Sequence, residues 1–156
     1  QVRMYGVFLF GYLSEDKNIL MFLRDEVSKD SNWRVQEVLA KSFDEFCKII
    51  GYDKALPVID DWLKNSNHNT RRAVTEGLRI WTGRPYFKAN PNEAIRRLAA
   101  LRDDLSEYVR KSVGNALRDI SKKYPELIRV ELSTWSLETK GIKQVYQLAN
   151  KLLIKS

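Results

Sequence analysis

Three carboxylates and a set of arginines and lysines stand at spacings that could do chemistry together. On a helix, Arg72, Glu76 and Arg79 fall within about 60° of one another, opposite Val74, Leu78 and Trp81. The same count puts Lys111, Asn115 and Arg118 on one stripe with Asp119 beside them, and Glu37 with Lys41 on another. A carboxylate among guanidinium groups stays ionised at neutral pH, because neighbouring positive charge favours the anion. Such an anion can stabilise a cationic transition state and aim a water, while the surrounding cations hold phosphates. An i,i+3 and i,i+4 salt-bridge lattice on a solvated helix face has the same sequence signature, so both readings stand at this stage.

The aromatic residues divide by their neighbours. Trp62 follows Val58 and Ile59 at helical spacing and reads as core, and Trp135 reads as closing its helix against the last one. Trp33 lies one turn before Glu37 and can overhang that carboxylate. Trp81 ends its helix beside Gly83, Pro85 and Tyr86, at the rim of the same surface. The face of an indole attracts positive charge, so these two could stack on a cationic base. His68, between Asn67 and Asn69, reads as a capping or solvated residue. Cys47, among Phe43, Phe46 and Ile50, reads as a buried thiol acting as a small apolar side chain. One Cys and one His leave no ligand set for zinc or iron, and no metal or cofactor is expected.

These side chains are placed by a repeat. Residues 68–79 and 107–118 align at a shift of 39, with Arg71/Arg110, Val74/Val113, Leu78/Leu117 and Arg79/Arg118 identical. A weaker copy at residues 33–43 aligns at a shift of 35, setting Leu39 on Val74, Phe43 on Leu78 and Glu37 on Arg72 and Lys111. Repeats of this length form stacked helical arrays, each burying one face of its helices and presenting a ladder of equivalent side chains. Apolar residues recur at three and four throughout, so the whole chain reads as helical.

Capping residues bound the helices. Ser14 caps one through about Val27, Ser31 opens one through about Ile49, and Asp53 precedes one ending near Lys64 that holds Pro57 in its first turn. Asn67 or Asn69 opens the next. Residues 83–91 form the longest break, followed by helices over about 92–101, 106–122, 125–135 and 138–154. Residues 4–10 read as the second half of a helix pair whose first half is absent, so the chain, a single domain over residues 1–156, is expected to be a fragment of a longer protein.

With 27 Lys and Arg against 20 acidic residues, the formal charge is +7, which favours a polyanionic partner. No apolar run approaches the roughly 20 residues of a membrane span, and no signal sequence opens the chain. A cytoplasmic monomer without membrane contact is expected.

The repeated segments resemble the AlkC/AlkD superfamily of HEAT-like-repeat DNA alkylation-repair glycosylases. Residues 71–79 are similar to the Arg-Arg-x-x-Ser/Thr-Glu-Gly-x-Arg segment of the AlkC branch, and residues 106–120 with the following Pro125 are similar to its next repeat. Trp33-x-x-x-Glu37 resembles the Trp-x-x-x-Asp pair of the AlkD branch, with Glu for Asp. The chain departs from the AlkD pattern at Asn115, where a tryptophan is expected, and from the AlkC form in the spacing after Arg79.

The resemblance implies a right-handed α-solenoid that binds alkylated duplex DNA and hydrolyses the N-glycosidic bond of cationic N-alkylpurines of the 3-methyladenine class. By the same resemblance, Glu37, Glu76 and Asp119 are the catalytic carboxylates. The resemblance also implies that Arg72 and Arg79 contact phosphate; the repeat adds Lys111 and Arg118 on the neighbouring rungs as expected phosphate contacts, and Trp33 and Trp81 are expected beside the DNA. The alternative from a different class is a catalytically silent HEAT-repeat module that binds nucleic acid or an acidic protein segment.

Overall fold

In this computed structural model residues 17–155 are described, together with Met4 and Gly6. Apart from those two, the half helix pair expected over residues 4–10 and the Ser14 cap lie outside that set. The described residues form α-helices and short 3₁₀ turns, with no strand among them, which is the expected all-α helical-repeat class. They fall into two compact units, residues 1–77 and 78–156.

The first unit contains α1 (Lys17–Asp25), a 3₁₀ turn (Val27–Lys29), α2 (Trp33–Ile50), α3 (Tyr52–Leu63) and most of α4 (His68–Trp81). Asn32 rather than Ser31 caps α2, its side chain accepting from the Arg34 amide at 3.0 Å. The chain reverses between α2 and α3 at Gly51, whose φ of 92° is open to glycine at little cost. Leu39, Phe43, Cys47, Ile59 and Trp62 fill the core, the Phe43 and Trp62 rings stacked with centroids 4.1 Å apart. Pro57 departs from expectation. Because α3 starts at Tyr52, the proline lies in its second turn and removes the bond to the Asp53 carbonyl. Both residues are exposed, so water can take that carbonyl.

The second unit holds the last turn of α4, then α5 (Pro85–Ala89), α6 (Pro91–Ala100), α7 (Glu107–Ser121), α8 (Pro125–Ser133) and α9 (Lys140–Asn150). The expected break after Gly83 contains the short α5, with Pro85 and Pro91 both at helix starts, where a missing N–H leaves no intrahelical bond unmade. Ser106 caps α7 as expected, and Thr139 caps α9. Leu78, Trp81, Phe87, Leu98, Val113, Leu117 and Val145 are fully buried. All six side chains expected to point inward from the repeated helices, Leu39, Phe43, Val74, Leu78, Val113 and Leu117, have no solvent exposure.

The same junction precedes each repeated helix. Asp30 accepts from the Asn32 amide at 2.8 Å, Asn65 from Asn67 at 2.9 Å and Asp104 from Ser106 at 2.9 Å. Six residues after each acceptor a side chain folds back and donates to its carbonyl: Gln36 Nε2 to Asp30 at 2.6 Å, Arg71 Nη1 to Asn65 at 2.8 Å and Arg110 Nη1 to Asp104 at 2.6 Å. Both arginines also reach the next carbonyl, Ser66 at 3.0 Å and Leu105 at 3.2 Å. Loop carbonyls that no helix or strand satisfies are thereby paired. The Arg71/Arg110 identity in the repeat is this junction, and Gln36 takes the same place in the weaker copy.

Close helix contact fixes the second unit. A Cβ added at Gly114 on α7 would stand 2.7 Å from Leu148 Cβ on α9, an atom bonded to the backbone that cannot swing away. An exposed helix position would gain up to about 1 kcal/mol from Gly→Ala. Here overpacking should outweigh that gain, and Gly114→Ala should lower stability by about 1–3 kcal/mol in urea denaturation. A more stable variant would contradict the α7–α9 contact.

Candidate nucleic-acid interface

Each unit presents candidate residues of its own. In the first, the starts of α2 and α4 are tied to one 3₁₀ turn. Gln36 Nε2 reaches the carbonyls of Val27 and Ser28, both at 3.3 Å, and Asn69 Nδ2 reaches the Ser28 carbonyl at 2.9 Å. Asn67 Nδ2 donates to Ser28 Oγ at 3.2 Å, and Thr70 Oγ1 to the Arg24 carbonyl at 3.3 Å. One frame thus carries Trp33 and Glu37 on α2 and Arg72 and Glu76 on α4. Trp33 is 60% exposed, with the Arg34 guanidinium 5.0 Å from its ring centre, and Glu37 one turn further along is exposed. Arg72 and Glu76 are half-buried, and Glu76 has a partner of its own.

In the second unit the charges are drawn together around Asp119. Its Oδ2 accepts from Arg79 Nε at 2.5 Å, while its Oδ1 accepts from Arg118 Nε and Nη2, each at 3.2 Å, and lies 3.5 Å from Lys122 Nζ. Burial by itself would raise the Asp119 carboxyl, but the hydrogen bonds and charges of Arg79 and then Arg118 outweigh it and hold the group below the usual carboxylate range. One anion and three cations leave a surplus of positive charge here. Lys111, further up α7, is exposed and pairs with Glu107 at 2.9 Å.

The surroundings of two expected site residues differ from the sequence reading. Trp81 does not stand at a rim: it is fully buried and stacked on Phe87, centroids 5.9 Å apart, because the chain after Gly83 folds into α5 and brings that ring against it. Asp119 has both oxygens engaged by cations, Oδ2 by Arg79 and Oδ1 by Arg118. Lys122, three residues beyond Asp119, completes the cluster and went unread in sequence, though i,i+3 spacing from an acid was the available signal. Trp62 and Cys47 are core, as expected. Trp135 is buried, donating to Glu131 at 2.8 Å with Arg102 over its ring.

Among the described residues no group of His, Cys, Asp and Glu side chains is arranged to hold a metal, and no helix is long and apolar enough to cross a membrane.

Comparison with known proteins places these features. The profile of the family described as DNA alkylation repair enzyme matches residues 2–134. The crystal structure of AlkD2 from Streptococcus mutans is 77% identical, with a TM-score of 0.95 over 97% of this chain and 73% of that one. The Pseudomonas fluorescens alkylpurine DNA glycosylase AlkC, bound to DNA containing an abasic site analog, is 26% identical, with a TM-score of 0.64 over 93% of this chain and 43% of that one. The uncharacterized protein YhaZ of Bacillus subtilis (strain 168) is 35% identical over 91 residues, 56% of this chain and 26% of that protein. The chain therefore spans about a quarter of that curated relative. The superfamily expected from the repeated segments is the one found; the closeness to its AlkC branch expected from residues 71–79 and 106–120 is not confirmed, since of the two named structures AlkD2 is far the more similar.

The Asp119 cluster predicts a pH dependence. Its carboxyl is depressed in the folded chain, so its stabilising contribution is full above the unfolded value of about 4 and is lost as pH falls through the lower folded value. Asp119→Asn removes that contribution at every pH. Urea titrations should show the variant less stable by a constant margin from neutral pH down to about pH 4, with the margin closing below it. A margin that widens in acid would contradict the ion-pair account.

Proposed function

Because the chain belongs to the DNA alkylation repair enzyme family, we propose that it binds alkylated duplex DNA and hydrolyses the N-glycosidic bond of cationic N-alkylpurines. The observation that carries this reading is the exposed Trp33 and Glu37 pair, one turn apart on a helix whose start is fixed by Gln36. Each unit has cations of its own for phosphates, Arg72 in the first and Lys111, Arg118 and Lys122 in the second, and such contacts set position and affinity on a duplex.

The chemistry asks little of the protein. An N-alkylated purine already carries a positive charge, so it leaves without general-acid help, taking the C1′–N bonding pair and departing neutral. The sugar becomes oxocarbenium-like, and a water adds its oxygen to C1′ and gives up a proton. Ionised Glu37 can stabilise that cationic sugar and accept the proton. In the free chain Glu37 faces water, which screens its field; DNA lying over α2 excludes that water and strengthens the interaction. The face of Trp33 can attract the cationic base.

A second reading is a DNA-binding module of the same family without excision. It is favoured by Trp81, which is buried away from any lesion, and by Asp119, whose charge is spent on Arg79 and Arg118. Free-base release decides between them. Incubated with duplex containing N-methylpurines, the parent should release free methylpurine, and Glu37→Gln should release it about a hundredfold more slowly, the usual cost of losing one such electrostatic contact. The same substitution should leave duplex binding equal or tighter, since an anion facing phosphates is gone. A parent that binds the duplex and releases no base overturns hydrolysis and leaves the binding reading. Equal release by parent and variant overturns the role of Glu37.

A further inference from the structure

The loop before α7 and the first turn of that helix hold out two large side chains. Leu105 is 98% exposed and Tyr108 69% exposed, so neither is there to fill a core. They are nevertheless rigidly presented. Arg110 Nη1 clamps the carbonyls of Asp104 and Leu105 itself, the Ser106 amide donates to Asp104, and Ser106 Oγ accepts from the Val109 amide at 3.4 Å. At the same place in the other two junctions stand Ser31 and Ser66, and the counterparts of Tyr108 are Arg34 and Asn69. Only this copy carries leucine and tyrosine there.

What lies next to them identifies the occupant. On α7, Tyr108, Lys111, Asn115, Arg118 and Asp119, with Lys122 just past its end, share one face within about 100° of arc, while Val109, Val113, Ala116, Leu117 and Ile120 are buried opposite. With Arg79 drawn in by Asp119, that face has four cations, Arg79, Lys111, Arg118 and Lys122, against two carboxylates, Glu107 and Asp119. A positive stripe headed by an exposed aromatic matches a nucleic-acid backbone running beside its bases: cations meet phosphates, and a ring or aliphatic side chain meets base faces.

We propose that Leu105 and Tyr108 form a base-contacting element that packs against the base stack of duplex DNA whose phosphates lie along α7. This rests on the DNA-binding reading above and adds to it a site that reads bases rather than phosphates. An apolar pair inserted at a step partly unstacks it, and its contribution does not depend on counterion release.

The test exchanges each residue for its counterpart in another copy, Leu105→Ser and Tyr108→Asn, changes to exposed positions that leave the clamp intact. Affinity for a duplex carrying 2-aminopurine is measured across a salt series, with Lys111→Ala as the phosphate control. The double variant should bind between about fivefold and a hundredfold more weakly, as expected for loss of a base-stacking side chain, with its slope of log K against log salt unchanged. Lys111→Ala should make that slope shallower by about 0.9. The parent should brighten 2-aminopurine on binding, and the double variant should not. Unchanged affinity in the double variant, or a shallower slope like that of Lys111→Ala, overturns the base contact while DNA binding stands. A parent that fails to bind duplex even at low salt overturns both.

Discussion

One folded-back donor at the head of each repeated helix sets the register on which everything else depends. Gln36, Arg71 and Arg110 each close a loop by donating to the carbonyl six residues before them, and each loop is turned by an Asp or Asn that accepts from the amide two residues on. With those junctions aligned, the equivalent positions along each helix are fixed: Glu37 with Arg72 and Lys111, Lys41 with Glu76 and Asn115, Asp44 with Arg79 and Arg118. Differences among copies then become chemical choices at constant geometry. At the last of these positions the first copy has a buried acid that accepts from the Tyr52 hydroxyl at 2.7 Å, while the later copies have arginines that share Asp119. The same backbone place is structural in one copy and cationic in two.

Charge placement separates the acids. Asp119 is surrounded by cations, so its anion is stabilised in the protein and its field is spent locally, leaving the cluster positive toward an incoming phosphate. Glu37 is the reverse: exposed on a helix of the first unit, it would weaken affinity for an ordinary phosphate backbone. An anion in that place is useful when the ligand brings a positive charge, as an alkylated purine and the sugar left behind by its departure both do. That contrast is the physical reason for proposing Glu37 for the chemistry and Asp119 for the placement of its arginines.

Much of this was legible in the sequence because burial follows period. Leu39, Phe43, Val74, Leu78, Val113 and Leu117 recur at helical spacing inside segments that repeat at 35 and 39 residues, and all six are buried. What failed to show was set by contacts far along the chain or by exact helix starts. Trp81 is at the end of its helix, where sequence cannot say whether the following residues turn away or, as α5 does, bring Phe87 against it. Pro57 shifts from first to second turn because Gly51 lets α3 begin before Asp53. Arg71 and Arg110 carried the repeat signal as identities, but their work, pairing loop carbonyls, uses backbone atoms that no residue type announces. Asp119 was visible beside Arg118, but its pairing with Arg79 was not, since that pair spans 40 positions.

The central claim is that the cationic faces hold DNA through its phosphates, and the affinity of the parent chain for unmodified duplex as a function of salt tests it most directly. With Lys111, Arg118 and Lys122 of the second unit each neutralising a phosphate, log K should fall linearly with log salt at a slope between about −2 and −3, near 0.9 per contact. A slope near zero, with binding equally strong at low and high salt, would contradict the account.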